Sequence, residues 1–185
     1  NAGAKHGFLT MVRYGNIRGA TQWIKEGVNV NVTEKGNNGF NALHILLSTK
    51  RNYVKNEFEE CPKFDNTEDG LFLKLLIESG INVNKRCIMT DSYGSSLGLY
   101  SPLRLAVENN NSFALEHLIK GNADLNDTYI DQKSPIYTKF RSILDIACLK
   151  GNIECIKILR DAGAKSANTC LFGAICENNT IYIDE

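Results

Sequence analysis

The side chains of this 185-residue chain with the widest chemical range are six cysteines, three histidines and one acidic stretch. No two of Cys61, Cys87, Cys148, Cys155, Cys170 and Cys176 stand at the CxxC spacing that supplies sulfur ligands to zinc. Four of the six sit inside apolar helical patterns, where cysteine acts as a small hydrophobe. The expectation is buried free thiols in a reducing setting. His6, His44 and His117 have no nucleophile beside them in sequence. Glu59, Glu60, Asp65, Glu68 and Asp69 read as a solvated loop face rather than a calcium site. The sequence holds no G-x-x-x-x-G-K-[ST], no H-E-x-x-H and no G-x-S-x-G. Its glycine- and serine-rich "DSYGSSLG" lacks the lysine and following helix that hold phosphate. The expectation is a chain that is not an enzyme and takes no cofactor and no metal.

Charge and hydropathy narrow the partners. Lys plus Arg and Asp plus Glu are 21 each, so there is no net positive field to gather nucleic acid or an anionic membrane. Apolar runs such as 42–47 and 71–77 fall far short of the roughly 20 residues that span a bilayer. The opening "NAGAKHGF" has no initiator methionine and no secretion signal, and it reads as a trimmed fragment. These features point to no nucleic acid and no membrane insertion; together with the cysteines, the setting is read as intracellular, cytoplasmic or nuclear. With 43% hydrophobic residues the chain is able to build a core.

The elements that must position these residues come from internal repetition. "SPLRLAVENNNSFALEHLIKGNADLN" (101–126) lies over "SILDIACLKGNIECIKILRDAGAKSA" (142–167) without a gap, aligning Leu103 with Leu144, Ala106 with Ala147 and Leu115 with Ile156. "HGFLTMVRYGNIRGATQWIKEGVNVN" (6–31) fits the same frame. A further copy, 41–84, joins "NALHILL" to "EDGLFLKLLIESGINVN" across an inserted loop at 48–67, and a partial copy occupies 169–185. Each copy carries apolar residues at helical spacing on two short stripes, neither of which buries its face alone, so neighbours must stack. Ser101 and Ser142 predict helix caps, and Pro102 suits a first helical position. Gly15, Gly151 and Asn110 suit left-handed turns between helices; Gly27, Gly80, Gly163 and Asn122 suit the closing ones.

"SPLRLA" and "NALHIL", with endings such as "GVNVN", "GINVN" and "NADLN", resemble the start and finish of the ankyrin repeat. The resemblance covers nearly the whole chain. It implies an all-α ankyrin-repeat solenoid of about four to five helix-turn-helix repeats with long hairpin or loop insertions, in one domain over 1–185. It also implies a structural role for His44, whose ring would bond a neighbouring turn, with Arg104 and Asp145 in the equivalent places.

Departures from the repeat are where function would sit. The closing Asn84 follows the closing Asn31 by 53 residues, against about 33 for a regular repeat, an excess that falls mostly in the inserted loop 48–67; the next two closings are late as well. The excess of those two later intervals builds two enlarged fingers, 85–100 and 127–141. They carry Met89, Tyr93, Leu99 and Tyr100 in one, and Tyr129, Ile130, Tyr137 and Phe140 in the other. Aromatic and apolar residues in loops either form partner hot spots or fold back on the helices, and both readings stay open. In ankyrin proteins the hairpin tips and first helices grip partners. Carried onto this sequence, that implicates Lys35, Asn37, Phe40, Arg13, Tyr14, Arg104, Glu108, Asp145 and Lys150. The spacing of Leu118 and Asn126 resembles targets of asparaginyl hydroxylases, which makes Asn126 a candidate modification site.

Three functional readings follow. The first is a protein-interaction module, adaptor or inhibitor, gripping a partner through its concave face and fingers. The second is a structural or regulatory ankyrin segment of a larger multidomain protein. The third rests on the asparagine-, lysine- and isoleucine-rich wording, which resembles viral and other pathogen ankyrin proteins that divert host signalling.

Overall fold

The computed structural model describes residues 2–34, 39–48, 67–90, 96–130 and 140–165. Helix α1 (Ala2–Arg13) is followed by α2 (Ile17–Lys25), α3 (Ala42–Leu47) and α4 (Glu68–Glu78). After a first hairpin come α5 (Pro102–Glu108) and α6 (Ser112–Lys120), and after a second α7 (Ile143–Leu149) and α8 (Ile153–Asp161). The first turn of a helix leaves N–H groups without partners, and short polar side chains supply the acceptors here. Asn16, Asn41, Thr67, Ser101, Asn111 and Ser142 each accept the N–H of the residue three positions on. Pro102 occupies the start of α5, where its missing N–H costs no bond.

The helices form four antiparallel pairs set side by side, α1–α3–α5–α7 touching in one row and α2–α4–α6–α8 in the other. Equivalent residues stack into columns: Phe8, Leu43, Leu103 and Leu144 in the first row, Ala20, Leu73, Leu115 and Ile156 in the second, all buried. The left-handed turn inside a pair falls on Gly15 and Gly151 but on Asn110 in the third, with φ of 51°. Asn122 likewise closes the third pair with φ of 64° where its counterparts are glycine. Asparagine tolerates this conformation at a steric cost that glycine escapes.

Asparagines also stitch one closing turn to the next. Asn31 donates through Nδ2 to Gly80 O at 2.9 Å, while its Oδ1 accepts Asn82 N–H at 2.6 Å. Asn84 repeats the clamp on Asn122 O at 3.1 Å and Asp124 N–H at 2.8 Å. Asn126 stands in the same register, and its carboxamide has no hydrogen-bond partner among the described residues.

The all-α ankyrin-repeat solenoid expected from the sequence is corrected by this structure. Among the described residues the eight helices are accompanied by two two-stranded antiparallel sheets, so the chain is mixed helix and strand. Strand β1 (Cys87–Thr90) pairs with β2 (Ser96–Tyr100) in a register that shifts between Met89 and Thr90; β3 (Thr128–Ile130) pairs with β4 (Phe140–Ser142). The expectation followed helical periodicity. The extra residues between pairs must satisfy their own N–H and C=O groups, and they do so across strands. Of the expected inserted loop 48–67, only Ser48 and Thr67 lie within the described residues, and the partial copy 169–185 lies outside them. No helix among the described residues is long and apolar enough to cross a membrane.

Candidate functional site

One position, third in the first helix of a pair, holds His44, Arg104 and Asp145 in successive copies, and each handles the same N-terminal N–H differently. Asp145 is fully buried and accepts Ser142 N–H at 2.8 Å while Ser142 Oγ accepts Asp145 N–H, a reciprocal cap. His44, also fully buried, has Nδ1 at 3.2 Å from Asn41 N and Nε2 at 3.2 Å from Tyr100 O. Nδ1 lies 2.6 Å from Asn41 Oδ1 as well. One ring nitrogen cannot serve as acceptor and donor at once, and the neutral Nε2–H tautomer is assigned because it satisfies the amide and the carbonyl together. Burial is the main reason its pKa falls to about 4. The ring therefore links α3 to the root of the first hairpin.

Arg104 has no acceptor to offer, and its side chain turns toward the hairpins instead. Its Nε donates to Glu108 Oε1 at 2.8 Å and its Nη1 to Leu99 O at 3.1 Å. The guanidinium lies 3.6 Å from the centroid of the Tyr100 ring and 4.6 Å from that of Tyr129, a cation held by two aromatic rings. Tyr129 continues the network: Ser101 Oγ donates to its hydroxyl at 2.6 Å, and the hydroxyl donates to Asp127 Oδ2 at 2.8 Å. Burial pushes the Tyr129 pKa up to about 12. Asp127 is itself buried and forms an ion pair with Arg86. A single carboxylate thus connects the entrance of the first hairpin to the start of the second.

Beside this network a cleft of about 190 Å³ opens between α5, α7 and the second hairpin. Ile146, Leu149 and Tyr129 give it an apolar wall, and Arg104, Glu108, Arg141 and Lys150 line the rest. Among the described residues the lining has three cations to one carboxylate, and Arg104 engages that carboxylate. Lys150 is exposed and makes no ion pair among the described residues. A second cleft, about 390 Å³, lies in the other row between α2 and α4, bordered by Ile17, Thr21, Leu71 and Leu75. The smaller one is the candidate because Arg104, Glu108, Tyr129 and Lys150, each singled out by sequence, converge on it.

The other expected contact residues are scattered. Tyr14 and Leu99 are exposed, at 72% and 48%. Arg13 is half-buried in an ion pair with Glu34, and Phe40 is half-buried with its ring stacked on His44 at 5.8 Å. Met89 packs against the core as a half-buried residue. Tyr100, Tyr129 and Asp145 are buried, so they act by packing and hydrogen bonding rather than by direct exposure. Ile130 and Phe140 pair across β3 and β4. Tyr93, Tyr137, Lys35 and Asn37 lie outside the described residues. Asn126 is exposed in its turn.

Sequence reasoning missed Arg86, Asp127, Arg141, Ile146 and Leu149. A signal existed for the first two: opposite charges stand within two residues of the equivalent closing asparagines Asn84 and Asn126.

Cys87 and Cys155 are free and buried, their pKa values raised by burial to about 12 and about 11. Cys148 is disulfide-bonded, which corrects the expectation of free thiols at that position. Cys61, Cys170 and Cys176 lie outside the described residues. His117 donates from Nδ1 to Phe113 O at 2.8 Å and stacks on the Phe113 ring at 4.3 Å, a packing role. Among the described residues no three His, Cys, Asp or Glu side chains are grouped to hold a metal ion. A scan against protein-family models and a search of curated proteins both find no match to this chain.

Proposed function

We propose that this chain is a protein-interaction module whose partner seats on the first-row helices and the roots of the two hairpins. The observation that carries the reading is the cleft between α5, α7 and the second hairpin. There the aliphatic Ile146 and Leu149 meet charged side chains in one place, a mixture found at protein interfaces. Leu99 in β2 and Tyr14 after α1 are exposed as well. The sequence resemblance to the ankyrin family, carried by "NALHIL" and "SPLRLA", is part of the proposal and favours the same class of function. The test is site-specific photocrosslinking, with a benzophenone amino acid at Leu149 on α7 or at Lys157 on α8, in extract from the native cell. A protein crosslinked from position 149 and not from 157 supports the reading. Equal crosslinking from both rows, or none from position 149, refutes it.

A further inference from the structure

Two-stranded ribbons are marginal when they stand alone, so each hairpin must lean on something else in the molecule. The first is anchored at its root, where His44 Nε2 lies 3.2 Å from Tyr100 O. The second runs directly into α7 and meets the first hairpin at three places. Arg86, just before β1, forms the ion pair with Asp127, just before β3. Ser101, just after β2, has its Oγ 2.6 Å from the Tyr129 hydroxyl on β3. The Tyr100 and Tyr129 rings, one from each hairpin, both hold the Arg104 guanidinium, at 3.6 Å and 4.6 Å. We infer that the two hairpins open and close as one unit, with the Asp127 carboxylate as the part they share. No partner is needed for this coupling, so it holds whether or not the chain is an interaction module.

Among the described residues the two ribbons share no ladder, since β1 pairs with β2 and β3 with β4, so side chains carry the connection between them. Asp127 is 6% exposed and draws little on water for its charge; it depends on Arg86 and on the Tyr129 hydroxyl, which donates at 2.8 Å. If the first hairpin swings out, Arg86 and Ser101 leave together. The buried carboxylate and the phenol then lose partners at the same moment. If the second swings out, Arg86 loses its carboxylate and Arg104 loses one of its two rings. Opening one ribbon alone therefore leaves polar groups buried without partners, whereas opening both returns them to water.

The linked residues run from Arg86 to Tyr129, with α5 and α6 between them, so the connection is tertiary and not a property of either hairpin's own sequence. Such coupling is reciprocal: whatever steadies one hairpin steadies the other without touching it, and whatever loosens one loosens both.

The experiment is amide hydrogen exchange on the full chain, read by mass spectrometry on peptides covering 87–90, 96–100, 128–130 and 140–142, with α2 as the reference element. Arg86→Met cuts the link from the side of the first hairpin. Tyr129→Phe cuts it from the second, keeping the ring on Arg104 and removing only the hydroxyl. Lys85→Met removes the adjacent cation as a control. Arg86→Met should speed exchange in 128–130 and 140–142 by at least about ten-fold relative to α2, and Tyr129→Phe should do the same in 87–90 and 96–100. Lys85→Met should change neither hairpin. Faster exchange confined to the hairpin that carries the substitution overturns the inference. So does an equal rise across α2, because the hairpins then have no opening of their own.

Discussion

Asn111 and Asn152 occupy the same place in successive copies, at the head of the second helix, yet only one of them bridges to its neighbour. Asn152 donates from Nδ2 to Val107 O at 2.6 Å in the buried seam between pairs. The residue equivalent to Val107 one pair earlier is Leu47, and its carbonyl is taken at 2.7 Å by Asn109 instead. Asn111 Nδ2 is left buried without a partner, while its Oδ1 still caps Ala114 N–H at 2.9 Å. Changing each to aspartate keeps the shape and swaps only the amide for an oxygen. In Asn152→Asp the swap removes a net bond of about 1 kcal/mol and sets a buried carboxylate against a carbonyl, which adds about 2 kcal/mol. For a chain of 185 residues a loss near 3 kcal/mol lowers the melting temperature by about 6–12 °C. In Asn111→Asp no bond is lost and the cap onto Ala114 N–H becomes charge-assisted, so the change stays within about 1 kcal/mol. Calorimetry or urea titration of the two variants decides the matter. If both variants destabilise equally, the seam does not depend on the Asn152 bridge.

Three further outcomes follow from the same geometry. His44 keeps its neutral form when folded, with a pKa of about 4 against 6.5 unfolded; its contribution is therefore present above pH 6.5 and lost as the pH falls toward 4. That loss, about 3 kcal/mol at most, should disappear in His44→Gln when stability is followed by urea titration across this window. Arg104→Lys should cost about 1–2 kcal/mol in chemical denaturation, because an ammonium cannot stack on Tyr100 and Tyr129 while donating to both Leu99 O and Glu108; an unchanged midpoint would deny the stack any role. Cys87 and Cys155 should stay unalkylated by iodoacetamide at pH 8 until urea is added, read by peptide mass spectrometry, since burial both hides them and suppresses the thiolate.

Helix pairing was legible in the sequence because it is local. Ser101, Pro102 and Ser142 announce helix starts through side-chain chemistry, and the columns through Leu103 and Leu144 follow from spacing alone. The positions of the insertions at 85–100 and 127–141 were legible, but their strand pairing was not, because the helical periodicity that located the repeats says nothing about cross-strand register. Tyr100 and Tyr129 illustrate the limit. As residue types they suit an exposed hot spot equally well, and only the arrangement of Arg104, Ser101 and Asp127 around them decides that they face inward. The cleft was half legible: its charged rim came from the repeat frame, whereas Ile146 and Leu149 read as ordinary core.

The asparagine clamps reach only from one closing turn to the next, and the series stops at Asn126. Among the described residues the last closing turn therefore has no asparagine clamp to the preceding one, and amide exchange there would run faster than at Asn82 or Asp124.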